Sequence, residues 1–166
     1  EKNLRRCQAG QTWWVDGVRW EVLHPREWPE GEEADNAASC VLRVQAHNGQ
    51  AVLVSGDLPQ AQEEALVASS PVSLRSEVLI VGHHGSRTST SAAWLDATGA
   101  HEAVIAAGRW NRYHHPHPSV LDRLHAHHLR VWRTDCQGAV RFLLGKNTPV
   151  APDGVRTATY CPESVP

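Results

Sequence analysis

Two short apolar segments of this chain each run into a polar motif that can carry chemistry, and this feature constrains the fold most. Residues 51–54 lead into Ser55-Gly56-Asp57, and residues 78–81 lead into Gly82-His83-His84-Gly85-Ser86. Short apolar runs bounded by glycine are typical of buried strands. A helix is predicted between them, at residues 60–68, after a proline that suits a helix N-terminus. Strands that alternate with helices predict an α/β layered domain.

The remaining segments agree with this fold class. Apolar and polar residues alternate on both sides of Asp16-Gly17, which predicts a hairpin near the start of the chain. The tail is expected to be irregular, because it has four prolines and no periodicity. The further predicted strands are 40–46, 103–106, 130–133 and 139–144, the further helices are 92–97 and 119–128, the domain is 1–146 and the irregular tail is 147–166.

Charge and hydropathy exclude two classes of protein. Lys and Arg number 16 against 18 Asp and Glu, so a basic protein that binds nucleic acid by bulk charge is excluded, and any such contact must be local. Basic residues dominate beyond Glu102, which predicts one locally positive face. The apolar runs are too short for a membrane-spanning helix, and no signal peptide opens the chain. Because the chain has no Met, we expect it to begin inside a longer gene product.

The four cysteines leave the redox state open. They contain no C-x-x-C pair, which argues against a zinc knuckle or a thioredoxin-type site. Three full pairings are possible, and unpaired thiols agree with the spacing as well as periplasmic disulfides do.

The strand ends predict a ligand site. The carboxyl ends of strands meet at one edge of an α/β sheet, so Asp57 and the pair His83 and His84 are expected to lie together there. A carboxylate and one or two neutral imidazoles are suitable ligands for Zn²⁺ or Mn²⁺. The alternative is that Asp57 caps the helix that follows it.

Two further loops are candidate parts of the site. Hydroxyl groups after the His pair can hydrogen-bond phosphate oxygens, and the polar loop 111–118 holds three histidines next to prolines. A solvated loop without a binding role explains the second loop equally well. His125, His127 and His128 fall on a predicted helix and are interpreted as surface residues.

Taken together, these motifs resemble a known family. The set is similar to the metallo-β-lactamase-fold domain at the C-terminus of the DNA internalization-related competence proteins of the ComEC family. The resemblance spans about residues 7–142 and rests on Gly10-Gln11-Thr12-Trp13, Leu23-His24-Pro25, Ser55-Gly56-Asp57, Gly82 to Ser86 with Thr88-Ser89, Asn111 to Pro116, and Thr134-Asp135. His114 stands where the family has glycine.

The resemblance implies a fold, cofactors and residue roles. The fold would be an αβ/βα sandwich that holds two divalent metal ions, Zn or Mn. Asp57 would bridge the metals and His83, chosen over His84, would complete one shell. His84 and His115 would be catalytic, and the substrate would contact Ser86, Ser89, Asn111 and Arg112.

One family motif is absent from this chain. The H-x-H-x-D-H-like motif that supplies most metal ligands does not occur, so we expect residues 1–166 to be the C-terminal half of such a domain and inactive alone. The full-length parent would be a metal-dependent phosphodiesterase or nuclease that acts on incoming DNA during uptake. The alternatives are a non-catalytic module that guides DNA past a vestigial metal site, and a hydrolase of small phosphoesters.

The resemblance also implies partners and a location. The partners would be DNA, single-stranded or duplex, the upstream transmembrane channel portion of the same protein, and other competence proteins. The chain would be a soluble domain of a bacterial inner-membrane protein, on its periplasmic or outer face.

Overall fold

One seven-stranded mixed sheet dominates the computed structural model, which describes residues 5–28, 34–146 and 150–155. Its strands lie side by side in chain order, and a separate pair of strands forms a second, small sheet. The strands are β1 (Thr12–Val15), β2 (Val18–His24), β3 (Val41–Gln45), β4 (Ala51–Val54), β5 (Val78–Ile80), β6 (Glu102–Ile105), β7 (Arg130–Arg133), β8 (Val140–Phe142) and β9 (Pro152–Val155). The helices are α1 (Ala34–Ala37), α2 (Gln60–Ser69), α3 (Ala92–Thr98), α4 (Pro118–Ala126) and α5 (Thr134–Gln137).

The first four strands are antiparallel, and the hairpin predicted at Asp16-Gly17 is confirmed. Both turn residues have positive φ, 50° at Asp16 and 78° at Gly17. Asp-Gly suits this turn because both residue types enter the left-handed region more easily than most.

From β4 to β7 the strands are parallel, and a helix connects each strand to the next. This alternation confirms the α/β class. Leu53, Leu79 and Ala103 stand in register on one face of the sheet and are fully buried. They pack against apolar residues of the three connecting helices, among them Trp94 and Leu124. Burial of this face holds the parallel half together, and the strand ends are thereby fixed relative to one another.

The opposite face of the parallel half is covered by the C-terminal part of the chain. Val78 and Val104 form a buried cluster with Val150, and Phe142 of β8 packs against it. The tail 147–166 was expected to be irregular, yet its described part contains β9, which pairs with β8. Four residues are too few to show a periodicity, and the adjoining Val150 is buried against the apolar sheet surface. Residues 147–149 and 156–166 lie outside the described residues.

The expected αβ/βα sandwich is not confirmed by this arrangement. Among the described residues there is one seven-stranded sheet and one pair of strands. No helix in the described ranges combines the length and the apolar character needed to cross a bilayer.

The cysteine pairing that the spacing left open is partly decided. Cys7 and Cys40 form a disulfide across 33 residues, and Cys136 is also disulfide-bonded. The interpretation as unpaired thiols is therefore wrong for these three residues.

Candidate functional site

Three loops meet at the carboxyl ends of β4, β5 and β6, an edge that we call the site edge. The His83 amide donates to the Gly56 carbonyl oxygen at 2.8 Å, which joins the first loop to the second. The His117 amide donates to the Gly85 carbonyl oxygen at 2.8 Å, which joins the second loop to the third. The convergence predicted from the strand ends is confirmed, since these bonds bring the Asp57 loop, the His pair and the His-rich loop together.

The His pair occupies a strained turn. His83 has φ 48° and ψ 43°, and His84 has φ 55° and ψ 20°, so two consecutive non-glycine residues are left-handed. Each such residue costs on the order of 1 kcal/mol or more. Hydrogen bonds to neighbouring loops hold the turn in place. Strain of this kind is concentrated at functional sites, where the structure must aim a side chain in one direction.

His84 and Asp57 face each other at the site edge. The Nδ1 atom of His84 lies 2.7 Å from the carbonyl oxygen of Ala106, which can only accept, so Nδ1 carries the hydrogen. In the neutral imidazole the other nitrogen, Nε2, then presents a lone pair. This Nε2 lies 3.8 Å from Oδ1 of Asp57, and both side chains are open to solvent, with 55% and 42% exposed.

This geometry fits part of a metal site. Bonds from zinc to nitrogen and oxygen are about 2.0–2.2 Å long, so one cation can reach both atoms. The hydrogen bond from Nδ1 to a backbone carbonyl is the usual support of a ligating histidine. The contact that the structure gives Asp57 is with His84, whereas the resemblance favoured His83 as the ligand.

The alternative role of Asp57 as a helix cap is not what the structure shows. Helix α2 is capped at Pro59, and no side-chain hydrogen bond caps it. The backbone amide of Asp57 is held instead by Ser39 Oγ, at 3.1 Å. The carboxylate of Asp57 is therefore not used by the helix and remains available at the site edge.

The third loop presents His115. The Asn111 side chain accepts from the His115 amide at 2.9 Å and donates to the His115 carbonyl oxygen at 2.7 Å. The His115 ring stacks on Tyr113, with centroids 5.7 Å apart, and meets His83 edge-on at 6.1 Å. Partial burial lowers the pKa of His115, and the neighbouring histidines lower it further, although Asp57 opposes them. The lowered pKa favours the neutral form of the His115 imidazole, which has a nitrogen lone pair that can accept a proton.

Two further imidazole nitrogens of these loops are enclosed by the protein. Nδ1 of His83 and Nδ1 of His115 are buried, with no hydrogen-bond partner among the described residues. Across residues 5–28, 34–146 and 150–155, however, no three His, Cys, Asp or Glu side chains cluster closely enough to hold a metal ion. The donors present thus amount to a facing pair, Asp57 and His84, with two imidazoles nearby.

The predicted substrate contacts have roles inside the protein. The Ser89 hydroxyl is fully buried and donates to the carbonyl oxygens of Gly82 and Ser86, at 2.8 and 3.0 Å. The Ser86 hydroxyl lies 3.1 Å from Thr88 Oγ1. Asn111 is occupied in holding His115, whereas Arg112 lies at the exposed side of the loop and donates to the Tyr113 hydroxyl at 2.6 Å.

A buried clamp that the sequence did not suggest holds the loop 86–91. The Glu63 carboxylate on α2 accepts from the amides of Thr90 and Ser91, at 2.6 and 2.7 Å. Arg123 on α4 donates to the carbonyl oxygens of Ser89 and Thr90, at 3.0 and 2.9 Å. Between them they keep Thr90, a β-branched residue, at φ 60°. The one available signal was a charged residue on the inner face of a helix.

The histidines at the C-terminal end of α4 lie away from the site edge. His125 and His128 are exposed, as predicted. His127 is only 23% exposed, and its Nε2 lies 3.3 Å from Oδ1 of Asp96, so it connects α4 to α3.

Comparison with known proteins relates the chain to part of a longer protein. Competence protein ComA of Neisseria gonorrhoeae is 46% identical over 145 residues, which cover 87% of this chain and 20% of that protein. The chain is similar to one stretch of a competence protein. Recombination protein 2 of Haemophilus influenzae is 38% identical over 81% of the chain, and ComE operon protein 3 of Bacillus subtilis is 34% identical over 84%. The chain spans 16% and 17% of their lengths.

These findings correct the family named from the sequence. No family model matches the chain. The three relatives bear the names of a competence protein, a recombination protein and a ComE operon protein, and none is named as a metallo-β-lactamase or as ComEC. The assignment to the ComEC metallo-β-lactamase domain is therefore withdrawn in favour of similarity to these proteins.

Proposed function

We propose that this chain is a DNA-handling domain of a protein for DNA uptake and that its site edge belongs to a metal-dependent phosphodiesterase. Similarity to a competence protein over 87% of the chain supports the first part. The observation that carries the second part is the pair Asp57 and His84, whose Oδ1 and Nε2 atoms lie 3.8 Å apart where parallel strands end. Because the chain spans a fifth of that relative, the activity is proposed for the whole protein.

The residues of the site edge suit phosphodiester chemistry. Asp57 and His84 would hold a divalent cation, with His83 as a candidate additional ligand, and the cation would supply charge stabilisation at the phosphate. The neutral imidazole of His115 would take up a proton from an attacking water or hydroxyl. Arg112 would contact the phosphate backbone without reading sequence.

A specific observation favours a second function. The described residues offer only two facing metal donors, which is few for tight binding or catalysis. A domain that guides DNA without cleaving it would need the arginines of residues 109–113 and not a complete metal site.

The disulfides support a location outside the cytoplasm. Bonds such as Cys7–Cys40 persist in oxidising compartments, among them the bacterial periplasm. We propose that the domain faces this side of the inner membrane, where DNA, a channel portion of the same protein and other competence proteins would be its partners.

DNA cleavage by the natural full-length protein tests the proposal. With Mn²⁺ or Zn²⁺ we expect cleavage of labelled DNA that is lost in Asp57→Ala and His84→Ala, because each removes one of the facing donors. The matched control is His125→Ala, an exposed imidazole on α4 that should leave the rate unchanged.

Three results would contradict the phosphodiesterase. DNA binding without cleavage under both metals would identify the guiding domain. Hydrolysis of the monoester p-nitrophenyl phosphate without cleavage of DNA would indicate a hydrolase of small phosphoesters. Cleavage at an unchanged rate in Asp57→Ala would remove the site edge from the reaction.

A further inference from the structure

Basic and aromatic side chains alternate in residues 109–113, Arg-Trp-Asn-Arg-Tyr, which we call the Arg–aromatic loop. Trp110 and Tyr113 are 74% and 63% exposed, which is unusual for such large apolar rings. Neither ring serves the core of the domain. Their exposure therefore points to a ligand that covers aromatic faces.

Each exposed ring has an arginine beside it. The guanidinium carbon of Arg109 lies 5.6 Å from the centre of the Trp110 ring, and that of Arg112 lies 4.8 Å from the centre of the Tyr113 ring. Both distances are within the range of a cation–π contact. The loop thus presents two units, each with a flat apolar surface and a fixed positive charge.

The segment that carries the loop has Asp and Glu at none of its positions. Residues 103–121 contain Arg109 and Arg112 and no Asp or Glu, so the formal charge of this segment is positive. The loop is also held in shape, because the side-chain amide of Asn111 donates to the carbonyl oxygens of Gly108 and His115, at 3.0 and 2.7 Å. A ligand with flat rings and regularly spaced negative charges fits such a surface.

The loop leads directly into the site edge. Tyr113 stacks on His115, and His115 meets His83, so a row of rings runs from the exposed loop to the histidine pair. A strand bound on the Arg–aromatic loop would therefore have its next phosphate groups beside His115 and the pair Asp57 and His84.

We infer that the Arg–aromatic loop binds single-stranded DNA, with bases stacked on Trp110 and Tyr113 and phosphates on Arg109 and Arg112. Single-stranded chains are the form of nucleic acid whose base faces are open, whereas a duplex covers them by stacking. The inference rests on the proposed function for the choice of DNA, and it adds the strand state of the substrate and two residues that contact it.

The test is binding of labelled oligonucleotides to residues 1–166, followed by fluorescence anisotropy. The probes are a single-stranded DNA of about twelve nucleotides, its duplex, an abasic strand of the same length and an RNA of the same sequence. We expect the single-stranded DNA to bind more tightly than the duplex or the abasic strand. Trp110→Ala and Tyr113→Ala should each weaken its binding about 5- to 100-fold and leave duplex binding unchanged.

Matched variants separate stacking from charge and from folding. Trp110→Phe keeps an aromatic face and should bind nearly as well as the wild type. Arg112→Ala should weaken binding of all four probes and lower the salt dependence, because it removes a phosphate contact. Trp14→Ala is the control, since Trp14 is 65% exposed but lies on β1 at the far edge of the sheet.

The outcomes distinguish this inference from the proposed function. If the wild type binds none of the probes, the DNA-handling function itself is refuted. If the wild type binds duplex as tightly as the single strand, or if Trp110→Ala and Trp14→Ala have the same affinity for the single strand, base stacking on the Arg–aromatic loop is refuted. The DNA-handling function stands in either case. Tighter binding of the RNA than of the DNA would refute DNA as the ligand.

Discussion

Removal of the Glu63 carboxylate should destabilise the domain strongly. In Glu63→Ala the amides of Thr90 and Ser91 lose an acceptor 2.6 and 2.7 Å away, in a part of the core where Glu63 is fully buried. Hydrogen bonds to a charged group contribute about 1.5–3 kcal/mol each, and a buried donor without a partner costs a similar amount. Two such bonds therefore give an expected loss of about 3–6 kcal/mol in the free energy of unfolding.

Urea unfolding monitored by circular dichroism measures this loss. The control is Glu64→Ala, the next residue on α2, which is exposed and should change stability by less than about 0.5 kcal/mol. Hydrogen exchange adds a local measurement, since the amides of residues 86–91 should exchange faster in Glu63→Ala. A loss in Glu63→Ala that does not exceed the loss in the control would refute the stabilising role of the clamp.

The same carboxylate predicts a pH dependence. Burial raises the pKa of Glu63 above its ordinary value, although the hydrogen bonds from Ser91 and Thr90 and the charge of Arg123 oppose the shift. Between the ordinary and the raised pKa the folded state holds a proton that the unfolded chain has lost, so the stability contributed by this group falls as pH rises. The gap in unfolding free energy between wild type and Glu63→Ala should therefore be larger at about pH 5 than at about pH 8. A gap that grows with pH would contradict this sign.

Three further substitutions test the packing around the site. Gly85→Ala should lower the free energy of unfolding by about 2–4 kcal/mol, because φ is +82° and the new Cβ would lie 2.7 Å from Cβ of Pro116. Gly108→Ala is the matched control, since its new Cβ would lie 4.0 Å from Cβ of Asn111. Equal losses of stability in the two variants would contradict the argument. Cys7→Ser should cost about 3–4 kcal/mol, because the lost disulfide closes a loop of 33 residues, and a loss under about 1 kcal/mol would show that the crosslink contributes little. Asn111→Ala should shift the ring resonances of His115 in NMR spectra, since its amide makes two hydrogen bonds to that residue, and unchanged resonances would mean that the loop keeps its shape without them.

The fold class could be predicted because it depends on local patterns. Strands 51–54 and 78–80 are short and apolar, and the helix between them has a clear beginning, so the alternation was visible in the sequence. Strand β9 could not be predicted in the same way. It pairs with β8, and the adjoining Val150 packs on a sheet surface formed by residues that are far away in the chain, of which Val78 and Val104 are examples.

The position of the site in the fold could be predicted from the sequence, but the contacts between its residues could not. Asp57 and the His pair were expected to meet because strand ends converge, and they do. Which histidine faces Asp57 depends on the left-handed turn at residues 83 and 84. Hydrogen bonds to Gly56 and Ala106 hold this turn in place. Such long-range bonds leave no trace in the local sequence.

The sequence also did not indicate which polar side chains are buried in the interior. Ser89 looked like a phosphate-binding residue because it follows a His pair, but its hydroxyl is bonded to backbone carbonyls in the interior. Glu63 lies on the predicted helix 60–68, and its hydrogen-bond partners lie 27 and 28 residues further along the chain.

The central claim is that Asp57 and His84 bind one divalent cation at the site edge. Amide NMR spectra of residues 1–166 during titration with Mn²⁺ test it directly, because the paramagnetic ion broadens the resonances of nearby residues. We expect broadening of residues 56–57 and 83–84 with a Kd above about 1 μM, as two ligands give only weak affinity, and no broadening of the hairpin at Asp16-Gly17. In Asp57→Asn the local broadening should disappear. Broadening that is uniform over the domain, or that persists unchanged in Asp57→Asn, would contradict the claim.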